Sequence, residues 1–269
     1  MSEIETTKRI ALLEELETSE KLIALGFGEL QNINPSNNFY FLPFQLLSQG
    51  FERFMKAYIC LGHFHKYQKL PNFKYIRDLG HDLEKLLKDI IDNYFFDYER
   101  YQFELDNTFI KEDTDLKELL AILSEFGKLA RYYNFDLITG NTKIGVNTKE
   151  QWNEFENKIL VSEDYEKLAD LNLNHEVYQK ISTYIIIVFE KYVSALSRQF
   201  IFKCLGEEAT SLSVTSFFNY GMLYEKDFGM KDYRYKTTRY KERPQKVHKR
   251  TMLDEVQRKM NPEYRSKKI

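Results

Sequence analysis

The sequence predicts an all-α protein: a helical bundle with additional C-terminal helices and a basic tail. Three observations lead there. Only 5 of 269 residues are Pro and 11 are Gly, so few positions interrupt a helix. Apolar residues recur every three or four positions through most of the chain, the period of a helix face. An apolar content of 43%, with 21 Phe and 19 Tyr, is enough to bury a sizeable core.

The first helix is expected over Ile4–Asn32, where Ile10, Leu13, Leu16, Leu22, Ile23, Leu25 and Leu30 carry the spacing, with a break at the cap-like Thr18-Ser19-Glu20. Residues 32–38 (NINPSNN) form a turn. A second helix begins near Pro43, a favourable first-turn residue, and runs to about Tyr67. Phe44, Leu47, Phe51, Phe54, Met55 and Tyr58 form its apolar face, and Glu52 and Lys56 sit four apart on the other side. Residues 72–79 read as a short helical bridge.

The third helix has the clearest pattern. Leu83, Leu86, Leu87, Ile90 and Ile91 share one face, and acidic Asp82 suits its positive N-terminal end. Residues 95–113 show no period. Thr114 caps a fourth helix ending near residues 131–136, and residues 137–148 (LITGNTKIGVNT) read as a boundary with room for a hairpin. Thr148 with Gln151 suggests a capping box for a helix through Leu160. Residues 174–205 form the longest helical stretch, apolar nearly all round between Ile185 and Val188. Further helices are expected at 211–223 and 251–260. The expected organisation is a bundle over 1–140, a helical extension over 141–230 that packs on it and includes 174–205, and a tail over 231–269.

Charge is uneven along the chain. Residues 231–269 hold 14 Lys and Arg against 5 Asp and Glu, a net +9, which leaves 25 against 36, a net −11, in residues 1–230. An acidic body with a basic tail suggests an intramolecular clasp or an anionic partner, and a solvated terminus is the plain alternative. Tyr233, Tyr235, Tyr240 and Tyr264 interleave with the cations, a composition suited to phosphates and unpaired bases. The acidic start is unlike an export signal and the run 184–189 is too short to span a bilayer, so a cytoplasmic protein with no membrane contact is expected. Cys60 and Cys204 read as reduced, buried thiols.

No phosphate-cradling glycine loop, zinc-spaced cysteine pair or metalloprotease helix motif occurs. Cys60 and His63 share a helix face but His65 points elsewhere, so no metal and no cofactor are expected. No serine sits in a strand-to-helix elbow.

One combination stands out: Glu52-x3-Lys56-Ala57, then Gly80-His81-Asp82-Leu83-x2-Leu86, then a later helix ending in Arg131-Tyr132. In this order and spacing the chain resembles the HEPN superfamily of all-α nucleotide- and RNA-associated proteins, over about residues 40–136. The resemblance implies a HEPN-like helical bundle, a homodimer, and a place in a prokaryotic toxin–antitoxin or antiphage defence module. It also implies RNA or nucleotide as ligand, and a partner enzyme such as a nucleotidyltransferase. Active HEPN ribonucleases carry an Arg followed, after four to six residues, by a His. After Arg131 those positions hold Asp136, Leu137 and Ile138.

In-line attack by a ribose 2′-hydroxyl needs a proton acceptor tuned near neutrality and a cation on the phosphate. Arg131 can supply the cation, whereas Asp136 ionises far below neutrality unless burial shifts it. The candidate catalytic set is therefore Arg131, Asp136 and His81, with Glu52, Lys56, Asp82 and Tyr132 as ligand contacts. His81 has two readings: a groove residue beside Arg131 and Asp82, or a structural residue that fixes the start of the third helix. Arg131 likewise either contacts ligand or anchors a carboxylate such as Glu52. A formal motif match at Arg243 to His248 lies in the tail, where Lys249 and Arg250 add nucleic-acid contacts. Two functions follow: an RNA- or nucleotide-binding protein with atypical endoribonuclease activity, or a catalytically silent dimeric scaffold that recruits a partner enzyme.

Overall fold

The computed structural model describes residues 4–97, 99–129, 132–140 and 146–236. Among these residues the chain is all-α, with eleven helices and no strand, the one bridge being Asn34 to Asn37. The expected hairpin residues 141–145, Arg131, and the tail from residue 237 onward, with its expected helix at 251–260, lie outside the described residues.

Helix α1 (Thr6–Gln31) runs unbroken through the expected cap at Thr18-Ser19-Glu20. Ser19 is fully buried and its hydroxyl donates to the Leu16 carbonyl one turn back at 2.8 Å, so it satisfies itself within the helix instead of starting a new one. Helix α2 (Phe41–Tyr67) lies antiparallel to α1. The pair approaches closely at two glycines: a Cβ on Gly26 would lie 2.6 Å from the Leu47 side chain, and one on Gly50 would lie 2.9 Å from Ile23 Cγ1. Pro43 falls within the first turn of α2, where a missing N–H costs nothing.

The bridge is α3 (Phe73–Leu79), capped by the Asn72 side chain, which accepts from the Tyr75 amide. Helix α4 (Leu83–Asn93) follows the turn at Gly80. Residues without sequence period form α5 (Tyr101–Glu112), which buries Phe103, Asp106 and Ile110. An aspartate occupies an inward position of that stripe, which hides the helix from a hydrophobicity pattern. Helix α6 (Thr114–Lys128) is capped by Asp113, not Thr114, because the Asp113 carboxylate reaches the Leu116 amide at 2.7 Å. A separate short helix, α7 (Tyr133–Thr139), follows and buries none of its residues.

Helix α8 (Thr148–Ile159) is capped by Asn147 rather than by Thr148, which is buried. Helix α9 (Ser162–Ala169) was without a sequence signal. Helix α10 (Asn174–Ile201), at 28 residues the longest of the described helices, runs through the core, and α11 (Gly206–Gly221) folds back on it. Three rings of α2 make this packing: Phe51 meets Phe189 of α10 at 4.9 Å, Tyr58 meets Phe200 at 5.2 Å, and Phe54 stacks on Phe217 of α11 at 4.1 Å. One apolar cluster extends from α1 to the segment after α11.

Three polar ties cross this core. Asp106 and Arg198 form a buried ion pair between α5 and α10. Glu156 of α8 accepts from Tyr40 at 2.9 Å and from the Trp152 indole at 2.8 Å. Glu190 of α10 accepts from the Gly229 amide and the Tyr233 hydroxyl, at 2.6 and 2.5 Å, and so holds down the segment after α11. Gln31 at the end of α1 grips the same segment, donating to the Lys231 carbonyl and accepting from the Tyr233 amide. Among the described residues no helix is long and apolar enough to cross a membrane.

Candidate functional site

The i, i+4 spacing on α2 brings Lys56 Nζ to Glu52 Oε1 at 2.8 Å. Across from them the chain leaves α3 through Gly80, whose φ of +64° suits glycine, and enters α4 through His81 and Asp82. That turn delivers His81 Nδ1 to both Glu52 oxygens, at 3.0 and 2.9 Å. Glu52 is mostly covered, while 58% of the His81 side chain stays exposed.

Asp82 behaves differently from His81. Its carboxylate caps α4 by accepting from the Lys85 amide at 3.1 Å, and it also receives Ser124 Oγ and Lys128 Nζ from α6, each at 3.2 Å. Ser124 in turn accepts from the Leu83 amide at 3.0 Å. Partial burial works against the Asp82 charge, but the Lys85 amide and Lys128 outweigh it and hold the carboxyl below its usual range. The turn carrying His81 is thereby locked between α4 and α6.

Of these groups, Glu52, Lys56 and His81 border a groove of about 490 Å³ between α1, α2 and the turn carrying His81. Glu52, Lys56 and His81 form one wall. Arg53, next to Glu52 on α2, pairs with Glu15 of α1 at 2.7 Å, and Gln45, Ser48 and Gln49 of α2 add neutral polar groups. Cys60 lies at the apolar end, where burial pushes its thiol up to about 12 and makes it a poor nucleophile.

A carboxylate only accepts hydrogen bonds, so the contact with Glu52 requires a proton on Nδ1, and in the neutral ring Nε2 is then the acceptor. Carboxylate, imidazole and a neighbouring ammonium beside a groove constitute an arrangement for general acid–base chemistry on an anionic ligand.

Of the residues named from sequence, Glu52, Lys56 and His81 converge on this groove, and Asp82 supports it from behind. Asp136 lies in α7 and Tyr132, 56% exposed, immediately precedes it; neither borders the groove. Arg131, Arg243, His248, Lys249 and Arg250 lie outside the described residues. The histidines near Cys60 turn to other neighbours: His63 Nδ1 lies 2.7 Å from the Lys69 carbonyl, and His65 sits edge-on to Phe96. Sequence reasoning missed Glu15, Arg53, Ser124 and Lys128. Arg53 and Glu15 bear no spacing to each other along the chain, and Lys128 reads as an ordinary helix-end cation.

No protein-family model, curated protein or solved structure matches the chain.

Proposed function

We propose that the chain is a HEPN-like helical protein of a prokaryotic defence or toxin–antitoxin module. It binds RNA in the groove between α1 and α2 and cleaves it at an atypical site centred on His81. The observation that carries this reading is the Glu52–His81 pair at the groove wall, with Lys56 on the same carboxylate. Nε2 of His81 accepts the proton of a ribose 2′-hydroxyl as that oxygen bonds to phosphorus. The bond to the 5′ oxygen breaks, and the departing oxygen takes a proton from water, leaving a 2′,3′-cyclic phosphate. Glu52 keeps the imidazole oriented, and Lys56 faces the phosphate charge. Arg131 is assigned a second phosphate contact, on the strength of the family resemblance alone.

Incubation of the purified protein with total RNA tests the reading. His81→Ala is expected to lower cleavage by about 100-fold or more, with smaller losses for Glu52→Gln and Arg131→Ala. Intact RNA after incubation with wild-type protein, across divalent-ion conditions, would rule out the cleavage step.

A second reading is favoured by the closure of the same network. Glu52 already receives Lys56 and His81, and Asp82 receives Lys85, Ser124 and Lys128, which is what a structural role requires. On that reading the chain is a silent dimeric scaffold that recruits a partner enzyme, and His81→Ala lowers the melting temperature without changing RNA binding.

A further inference from the structure

A second cavity, of about 660 Å³, lies between α5, α10 and residues 224–228, and it shares no residue with the groove beside His81. Tyr101, Leu105 and Phe109 line it from α5, where a spacing of four brings them to one face. Tyr224 and Phe228 line it from the segment after α11. That segment turns because the Asp227 amide donates to the Tyr224 carbonyl at 2.9 Å and the Asp227 carboxylate accepts from the Tyr224 amide at 3.0 Å. Tyr101 stays 76% exposed and Tyr224 56%, so folding leaves two rings at the mouth. A space of this size, walled mainly by rings and aliphatic groups, has the character of a site for a small organic molecule.

The buried ion pair of Asp106 and Arg198 also borders this cavity. A guanidinium carries five N–H donors. Three are used within the protein, two toward Asp106 and one toward the Leu223 carbonyl, so two remain without an acceptor among the described residues. Buried donors in stable structures are met, and this pair calls for an oxygen acceptor in the cavity. The charges of the lining set the sign of that acceptor. Asp106 balances Arg198, and Glu225 balances Lys191, which lies 2.9 Å away. Lys226 is left over: it has no ion-pair partner among the described residues, and the neighbouring Asp227 is turned to the Tyr224 amide. The lining therefore carries one unbalanced positive charge.

We propose that this cavity binds a small aromatic carboxylate with a single negative charge. Its oxygens accept from the two remaining Arg198 donors, Lys226 balances its charge, and its ring lies among those of Phe109, Tyr224 and Phe228. A neutral aromatic molecule leaves the charge of Lys226 unmatched, and an aliphatic acid forgoes the ring contacts. The site is independent of the RNA reading of the groove, and neither stands or falls with the other.

Calorimetric titration of the full chain with 2-naphthoate, neutral 2-naphthamide and octanoate tests it. 2-Naphthoate is expected to bind about tenfold more tightly than either of the others. Lys226→Glu reverses the unbalanced charge and should weaken 2-naphthoate by about fivefold while leaving 2-naphthamide unaffected. Tyr224→Leu removes a ring and should weaken both naphthyl ligands by about fivefold and octanoate much less. Both side chains are exposed, so melting temperatures equal to wild type are expected and separate binding from folding. Equal affinity for 2-naphthoate and 2-naphthamide, or Lys226→Glu binding like wild type, would overturn the anionic ligand. Octanoate binding as tightly as 2-naphthoate would overturn the aromatic one. Binding of none of the three at millimolar concentration would remove the site. Loss of 2-naphthoate binding with Lys56→Met but not with Lys226→Glu would move the probe to the groove and overturn the assignment.

Discussion

Asp106 of α5 and Arg198 of α10 meet as a bidentate pair, Nε to Oδ2 at 2.5 Å and Nη2 to Oδ1 at 2.6 Å, with their side chains only 5% and 4% exposed. The remaining guanidinium nitrogen donates to the Leu223 carbonyl at 3.0 Å, and Gln102 donates to Asp106. One arginine thus joins α10, α5 and the segment after α11 in a single register.

Asp106→Ala leaves that guanidinium buried without its counter-charge and should cost about 3–5 kcal/mol. The double variant Asp106→Leu/Arg198→Met removes both charges and should recover most of the loss. Urea midpoints of the three proteins check this. A double variant as unstable as the single one would show that the pair does more than neutralise itself.

Glu190 sets a pH dependence. Burial raises its carboxyl above the ordinary value of 4.5, against the opposing pull of the Gly229 amide, the Tyr233 hydroxyl and Lys231. An acid raised in the folded state binds its proton more tightly folded than unfolded. Its contribution is complete below 4.5 and declines as pH rises through the folded value. Glu190→Gln cannot ionise, so it should gain on wild type as pH rises above about 4.5 until pH passes the folded value. Thermal unfolding across that range reads the gap between the two proteins, and a constant gap would refute the assignment.

Gly50→Ala places a methyl 2.9 Å from Ile23 Cγ1 and 3.1 Å from its backbone nitrogen. The substitution normally favours a helix by about 1 kcal/mol. Here overpacking of α1 on α2 should reverse the sign and cost about 1–3 kcal/mol. Guanidinium denaturation measures it.

Ser124→Ala takes the hydrogen-bond partner from the buried Leu83 amide and one donor from Asp82. The cost should be about 1–3 kcal/mol. Hydrogen exchange at Leu83 should accelerate, while amides in the middle of α10 change only by the global loss. Unchanged exchange at Leu83 would mean that Ser124 does not hold the turn.

Where the sequence was readable, the pattern was hydrophobic and local. Helices α2, α4 and α6 show their faces plainly because nearly every inward position is apolar, Ser48 and Ser124 being exceptions, and α10 shows its centrality by being apolar nearly all round between Ile185 and Val188. Helix α5 was hidden because Asp106 points inward to a partner 92 residues away. The break expected at Ser19 did not materialise, since a hydroxyl that bonds its own helix looks, in sequence, the same as one that caps the next. The site was half legible. Glu52 with Lys56 is a helical spacing, and Gly80-His81-Asp82 is a local turn, so both could be found. That Glu52 and His81 would touch, or that Ser124 and Lys128 would brace the turn from α6, depends on how helices cross, and no spacing encodes it.

The grip of Gln31 on residues 231 and 233 ties nearly the first helix to the last described segment. Tyr233 also covers Phe27, its ring edge-on at 5.1 Å. During synthesis α1 therefore waits for some two hundred later residues before this part of its apolar face is closed. Until then α1 exposes a sticky surface to whatever else is nearby. Contacts so distant along the chain form late and slow folding, and a chain stopped short of Tyr233 leaves the edge of Phe27 uncovered.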